Sequence, residues 1–383
     1  MSSHATAKKP RREGIVLGSV GGTPVILANS WFLIAAFTVI VFGPQLSHGF
    51  PTLGAGVYLV AFAYALLLLF SVFIHELSHA LAAKLYGWPT HKIVLNLWGG
   101  HTEFDFTKAT PGRALVVAFA GPASNFVLAA LAWPLQLAAS HPTSLTGAVV
   151  LLLANIFIWA NLLIGIFNVL PGLPLDGGRL VESIVWKATG IQEKGTVAAG
   201  WAGRIIVVLI VAGVLVVPYL QGSAPDLTTS FIVVLLAGFL WMGASAAIKG
   251  AAIRLRLPAI TAGALAAPAV SAAENCTVAQ LWTLRARYPQ APIVLCAADG
   301  RPSGVVDEHA LAAVPPHAAV QTPAHAVART MTPGAYVPET ASGAELVQYL
   351  SQLPDTEYAV IDSHGRVTGL LSQTKVVAAI TGK

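Results

Sequence analysis

The sequence predicts an α-helical polytopic membrane protein of about six transmembrane helices, followed by a C-terminal cytosolic α/β module. Three observations carry this: an apolar composition, a series of apolar runs long enough to span, and an alternation of cations between the connections. Of 383 residues, 55% are hydrophobic and 10% charged, with mean hydropathy +0.70, whereas an average soluble domain carries about 25% charged residues. Most of the chain therefore lives in lipid, and no nucleic-acid partner is expected.

A spanning helix needs about 20 mostly apolar residues. Segments near 28–45, 56–84, 112–139, 147–170, 198–220 and 229–248 reach or approach that length. The opening stretch to Glu13 is basic, but no apolar run with a small-residue cleavage site follows at once, so the first apolar helix is expected to stay as an anchor. Residues 1–27 read as a cytosolic basic N-terminal tail, and 28–250 as the six-span core. Lys8, Lys9, Arg11 and Arg12 precede the first span. Lys84, Lys92, Lys108 and Arg113 lie between the second and third, Arg179, Lys187, Lys194 and Arg204 between the fourth and fifth, and Lys249, Arg254 and Arg256 after the sixth. The connections after the first, third and fifth spans carry no Lys or Arg. The positive-inside rule then puts both termini in the cytosol.

After Arg256 charges return and apolar runs shorten to strand length, with Pro258 and Pro268 punctuating a linker over 251–269. Two stretches beyond it echo each other. Ala291 to Val306 and Glu357 to Leu371 each read as strand, Asp-Gly or His-Gly turn, strand, and then a helix-like run. This repeat resembles a tandem pair of cystathionine-β-synthase (CBS) domains, at about 270–315 and 328–383. Cys276 and Cys296 lie in this part outside any C-x-x-C arrangement and read as buried thiols.

The chemistry sits in the spans. His75-Glu76-Leu77-Ser78-His79 puts two imidazoles one helical turn apart on one face, able to grip a zinc ion, with a carboxylate between them that can act on water. Ionisable groups at membrane depth cost about 2.5 to 3.5 kcal/mol each on insertion scales and are functional by default. The competing reading is a polar cluster lining a channel or proton path. A catalytic zinc wants a third protein ligand and an open position. Asn168-Val-Leu-Pro-Gly-Leu-Pro-Leu-Asp176-Gly-Gly offers one: Pro171 and Pro174 break the end of the fourth span, and Gly177 and Gly178 free the backbone after Asp176. The bland alternative makes Asp176 an N-cap or Asx-turn residue.

The H-E-L-S-H helix, the later N-x-x-P-x-x-P-L-D-G segment and the paired CBS-like tail resemble the site-2 protease family of intramembrane metalloproteases. The resemblance implies one zinc per chain on His75, His79 and Asp176, with Glu76 as general base and acid, and Asn168 helping to hold the substrate backbone or the oxyanion. It also touches Gly121-Pro-Ala-Ser-Asn125 and Gly99-Gly100, read here as small-residue helix packing and a loop turn. The implied activity is hydrolysis of peptide bonds in or near membrane-spanning segments that are locally unwound. Lys92-Ile-Val-Leu-Asn-Leu is a strand whose edge could take an extended substrate. His48, His91, His101 and His141 read as solvated or interfacial residues, His101 being the one that could approach the metal.

CBS pairs commonly bind adenine nucleotides through a G-x-x-[ST]-x-x-D pattern. Here the copies read Gly304 to Ala310 and Gly369 to Lys375, and the Asp is missing from both. A structural tail, or one that makes a homodimer, therefore stands beside nucleotide sensing. Every connection between spans is short, so no inserted peptide-binding domain is expected. The rival from another class is a CBS-regulated transporter or channel that uses the same polar residues as an ion path.

Overall fold

The computed structural model describes residues 14–105, 109–138, 141–223, 225–352 and 355–382. The chain divides into two units, Met1–Lys249 and Gly250–Lys383.

The first unit opens with strands β1 (Gly14–Val20) and β2 (Thr23–Ala28), joined by Gly21 and Gly22, both at positive φ. A two-residue hairpin turn asks for that conformation at both positions, which glycine adopts without a side-chain clash. Residues 14–27 are therefore not a tail. Their strands are short and their outer face is exposed, so neither length nor alternation marks them. Residues 1–13 lie outside the described residues.

Among the described residues, six helices are long and apolar enough to cross a membrane. They are α1 (Trp31–Gly49), α2 (Gly56–Leu85), α3 (Pro111–Ala138), α4 (Leu145–Val169), a fifth span from Gln192 to Leu220, and α8 (Leu227–Arg256), whose last turn extends to Ala259. The fifth comprises α6 (Gln192–Val211), a π-helical stretch (Ala212–Val216) and α7 (Val217–Leu220). Between α4 and α6 lies α5 (Asp176–Thr189), amphipathic and stopped by Gly190 in the left-handed conformation. The outward faces of the spans are apolar and exposed, as at Leu59, Leu131 and Met242. Polar residues are turned inward: Ser71, Asn125 and Asn161 are fully buried.

Strands β3 (Thr90–Asn96) and β4 (Gly99–Phe104) follow α2 and complete a sheet of order β1-β2-β3-β4, with β2 and β3 parallel. Val25, Leu27, Ile93 and Leu95 pack on Trp31 and Ala35 of α1 and on Ala65 and Ala80 of α2. Each such side chain contributes about 1.5 to 3 kcal/mol of burial, and together they fix the sheet against α2. Lys92 to Leu97 is consequently not an edge. Its strand is hydrogen-bonded on both sides, because the hairpin ahead of α1 supplies a neighbour that the sequence does not advertise. β4 is the strand at that end of the sheet.

The second unit repeats one pattern twice. β6 (Val270–Ala273), α10 (Val278–Arg287), β7 (Ile293–Cys296), β8 (Pro302–Val306) and α11 (Glu308–Ala313) form the first copy. β10 (Tyr336–Pro338), α12 (Gly343–Gln352), β11 (Glu357–Ile361), β12 (Val367–Ser372) and α13 (Gln373–Thr381) form the second. The sheets exchange strands: β5 (Ala267–Pro268) pairs with β12 of the second copy, and β9 (Ala328–Thr330) with β8 of the first. The stretch 251–269 is thus structured, containing the end of α8, α9 (Ala262–Leu265) and β5. Cys276 and Cys296 are half-buried free thiols rather than fully buried ones, and burial pushes both above the usual thiol range.

Candidate metal centre

His75 and His79 lie four residues apart on α2, and both are buried. Asp176 is the first residue of α5. Its oxygen Oδ2 lies 2.9 Å from His75 Nε2 and 3.3 Å from His79 Nε2, and the two Nε2 atoms are 3.0 Å apart. Among the described residues these three form the group able to hold a metal ion.

The protons on the two rings can be assigned from their other nitrogens. His79 Nδ1 is 2.7 Å from the carbonyl oxygen of Val117, which only accepts, so Nδ1 carries the hydrogen. His75 Nδ1 is 2.6 Å from Asn125 Oδ1 and donates likewise. Each neutral ring then turns an Nε2 lone pair toward the other and toward a carboxylate. Three electron-pair donors at these distances repel one another unless a cation sits between them. With metal–ligand bonds of 2.0–2.2 Å, the edges of a tetrahedron of donors are about 3.3 Å, close to the observed separations. The donor set fits zinc.

The loop from Leu170 to Leu175 sets the position of Asp176. Leu173 N donates to Ala199 O of α6 at 3.0 Å, and Gly203 of α6 packs directly under Leu173 O. Gly177 and Gly178 are helical, with φ in the normal negative range, so they do not act by freeing the backbone. A methyl on Gly177 would strike the carbonyls of Val169 and Leu170, and one on Gly178 the backbone at Leu173. They are small because the start of α5 is pressed onto the end of α4.

Glu76 is buried on the same helix. Thr102 Oγ1 of β4 lies 2.8 Å from Glu76 Oε2 and 3.1 Å from its carbonyl oxygen, and Gly100 leaves room for the Glu76 side chain. Gly100 and Thr102 share one face of β4, so His101, between them, points the other way. Its ring is exposed and approaches Asn96 and Glu103, not the metal ligands. Asn168 is half-buried in the last turn of α4 and makes no side-chain hydrogen bond among the described residues. His48 ends α1, and His141 is exposed in the loop before α4.

Two features read as generic packing belong to the site. A methyl on Gly121 would collide with His79 Nε2 and lie 2.6 Å from His75 Nε2, so Gly121 keeps open the space where the donors converge. Asn125, one turn on, holds His75. The spacing of Gly121 to Asn125 on α3 could have indicated this only in combination with a known partner helix. Thr102 has no sequence signal of its own.

Comparison with known proteins agrees with this chemistry. The profile described as Peptidase family M50 matches residues 63–148 and 140–213, which span α2 to α6. The Synechocystis sp. protein named "Putative zinc metalloprotease sll0528" is 29% identical over 96% of this chain and 95% of its own length. "Putative zinc metalloprotease Rip3" of Mycobacterium tuberculosis is 34% identical over 52% of this chain and 51% of its own. Among solved structures, the site-2 protease from Methanocaldococcus jannaschii is 26% identical, with TM-score 0.40 over 61% of this chain and 95% of that one. The CBS domain of a bacterial CNNM/CorC family Mg2+ transporter aligns with 40% of this chain and 96% of its own, at 17% identity and TM-score 0.28. The six-span unit is that of a membrane-embedded zinc metalloendopeptidase. Residues 63–213 are similar to peptidase family M50, and nearly the whole chain is similar to a protein named as a zinc metalloprotease.

Proposed function

We propose that the chain is a zinc-dependent intramembrane endopeptidase with one zinc per chain, which hydrolyses peptide bonds in or near transmembrane segments of other membrane proteins. The observation that carries this reading is the convergence of three electron-pair donors, two from buried histidines on α2 and one from the half-buried Asp176 of α5, with the buried Glu76 carboxylate also on α2. His75, His79 and Asp176 would hold the metal. Bound there, zinc supplies a Lewis acid that makes water nucleophilic near neutral pH and polarises a carbonyl. Glu76 takes the proton from the attacking water, with Thr102 donating to its second oxygen and fixing its direction. The same carboxyl group then returns the proton to the leaving amine. Asn168, in the last turn of α4 and without a side-chain hydrogen bond among the described residues, is the candidate donor to the substrate carbonyl.

A helical substrate hides its carbonyls in i to i+4 hydrogen bonds, so the segment cut is one that unwinds. β4 ends the sheet beside Glu76, and an extended segment added to it would bring its backbone past the site. Lys and Arg in alternate connections support a multi-pass cell-membrane protein with both termini in the cytosol. His79 lies five residues before Lys84, about 8 Å of helix axis, which puts the site a short way below the cytosolic surface. The CBS-like tail, lacking the ribose-binding Asp in both copies, is read as a structural or dimerising element.

The test is Glu76→Gln in the full chain, with zinc content and cleavage of co-expressed membrane substrates measured together. Zinc should stay at one per chain while cleavage falls at least a hundredfold, in line with loss of a general base. Comparing the membrane proteomes of the two strains would identify the substrates. A chain that holds no tight zinc, or loses none on His75→Ala, would instead favour an ion path.

A further inference from the structure

Behind His75 a chain of side chains runs through three helices. Asn125 Oδ1 on α3 faces His75 Nδ1 at 2.6 Å, and Asn125 Nδ2 donates to Asn161 Oδ1 on α4 at 2.8 Å. Asn161 Nδ2 donates to the Phe157 carbonyl at 2.8 Å and to Ser71 Oγ on α2 at 3.0 Å. Ser71 in turn donates to the Leu67 carbonyl at 2.9 Å. Ser71, Asn125 and Asn161 are fully buried, so no water can substitute for a missing partner.

An amide can be turned end for end, and the chain therefore has two polarities. In one, both amide oxygens face His75 and its Nδ1 carries the hydrogen, leaving Nε2 as a lone pair toward the metal position. In the other, both amide nitrogens face His75, Nδ1 becomes the acceptor and Nε2 carries the hydrogen, which closes that position. One end decides. The Phe157 carbonyl can only accept, so the group of Asn161 that meets it must be the NH2, and every later step follows. Reversal would leave two oxygens facing each other without a proton in a dry site, a buried acceptor with no donor.

We propose that Asn161 is a positioning residue for the metal: working through Asn125, it sets the tautomer of His75 that can bind zinc. The inference rests on the zinc reading above. Outer hydrogen-bond partners of ligating histidines typically alter metal affinity by about 10- to 100-fold.

The experiment measures zinc affinity of the full chain in detergent by chelator competition, and the visible spectrum of the Co2+-loaded form. Asn161→Leu should bind zinc about tenfold more weakly. Asn161→Ser, which can still satisfy the Phe157 carbonyl but does not reach Asn125, should do the same, so the comparison survives if the leucine variant does not fold. Asn161→Asp should stay within about threefold of wild type, because a carboxyl group buried this deeply is neutral, and its OH can donate to Phe157 while its carbonyl accepts from Asn125. The double variant Asn125→Ala/Asn161→Ser should be no weaker than Asn125→Ala, since the two act in series. Wild-type affinity and cobalt spectrum in Asn161→Ser, equal losses in the Ser and Asp variants, or a further tenfold loss in the double variant would each overturn the relay. A wild-type chain that binds zinc without cleaving would sink the protease reading and leave the relay to these numbers; one that binds no zinc overturns both.

Discussion

Asp176 heads α5, a position where a carboxylate can serve equally as helix-start residue or as ligand, and one substitution separates the two. Asn is nearly isosteric and caps a helix as well as Asp does. It cannot supply the negative charge that a dication held by two neutral imidazoles requires. Asp176→Asn should therefore insert and stay monodisperse while losing zinc to a chelator and most of its proteolysis; zinc retention equal to wild type would move the third ligand elsewhere. Gly121 gives a sharper test, because nothing chemical is removed. Gly121→Ala adds one methyl where two Nε2 atoms converge, and zinc occupancy should fall severely while the helix itself gains propensity. At this scale the members of the cluster were legible in the sequence: His75 and His79 share a local spacing with Glu76 between them, and Asp176 follows a broken span. Asn125, Asn161, Thr102 and Gly121 were not. Their roles depend on which helices face one another, and an asparagine in an apolar run does not say what it meets.

The elements were legible in proportion to their length. Six apolar runs announce six spans, because 20 residues of one character are hard to mistake. The strands before α1 were missed because β1 exposes nearly all of its residues and β2 is only six residues long. That omission also hid which strand ends the sheet beside Glu76. Between elements, the Leu170 to Leu175 loop lies on the small residues of α6, where Gly203 meets Leu173 and Gly172. Gly203→Leu would push that loop off α6 and displace Asp176, three residues further on. The expected result is lower zinc retention and a lower thermal midpoint, from a residue that touches no ligand. Gly213→Leu, in the same span but with open space around its Cα, is the matched control and should change neither.

At the scale of the whole molecule the orientation in the membrane decides which compartment receives the products. Single cysteines at Ser144 and Ser223 should react with an impermeant thiol reagent on intact cells. Cysteines at Thr189, exposed at the end of α5, and at Ser303 should react only after permeabilisation, in a background with Cys276 and Cys296 removed. The opposite pattern would reverse the topology and place the site near the outer face.

The exchanged strands of the second unit bear on how the protein is made. Pro268 of β5 pairs with Gly369 of β12, 101 positions later (369 − 268). A ribosome adding about 5 to 20 residues per second needs roughly 5 to 20 seconds to cover that interval. Through that time β5 has emerged but its partner has not, and the second copy's sheet cannot close until synthesis has almost ended. The first copy obtains its last strand, β9, much sooner. Translation order thus imposes a sequence of assembly on two otherwise similar halves, and a stop codon a few codons before Val367 would strand β5 as an unpaired edge, the form of exposed strand most open to aggregation.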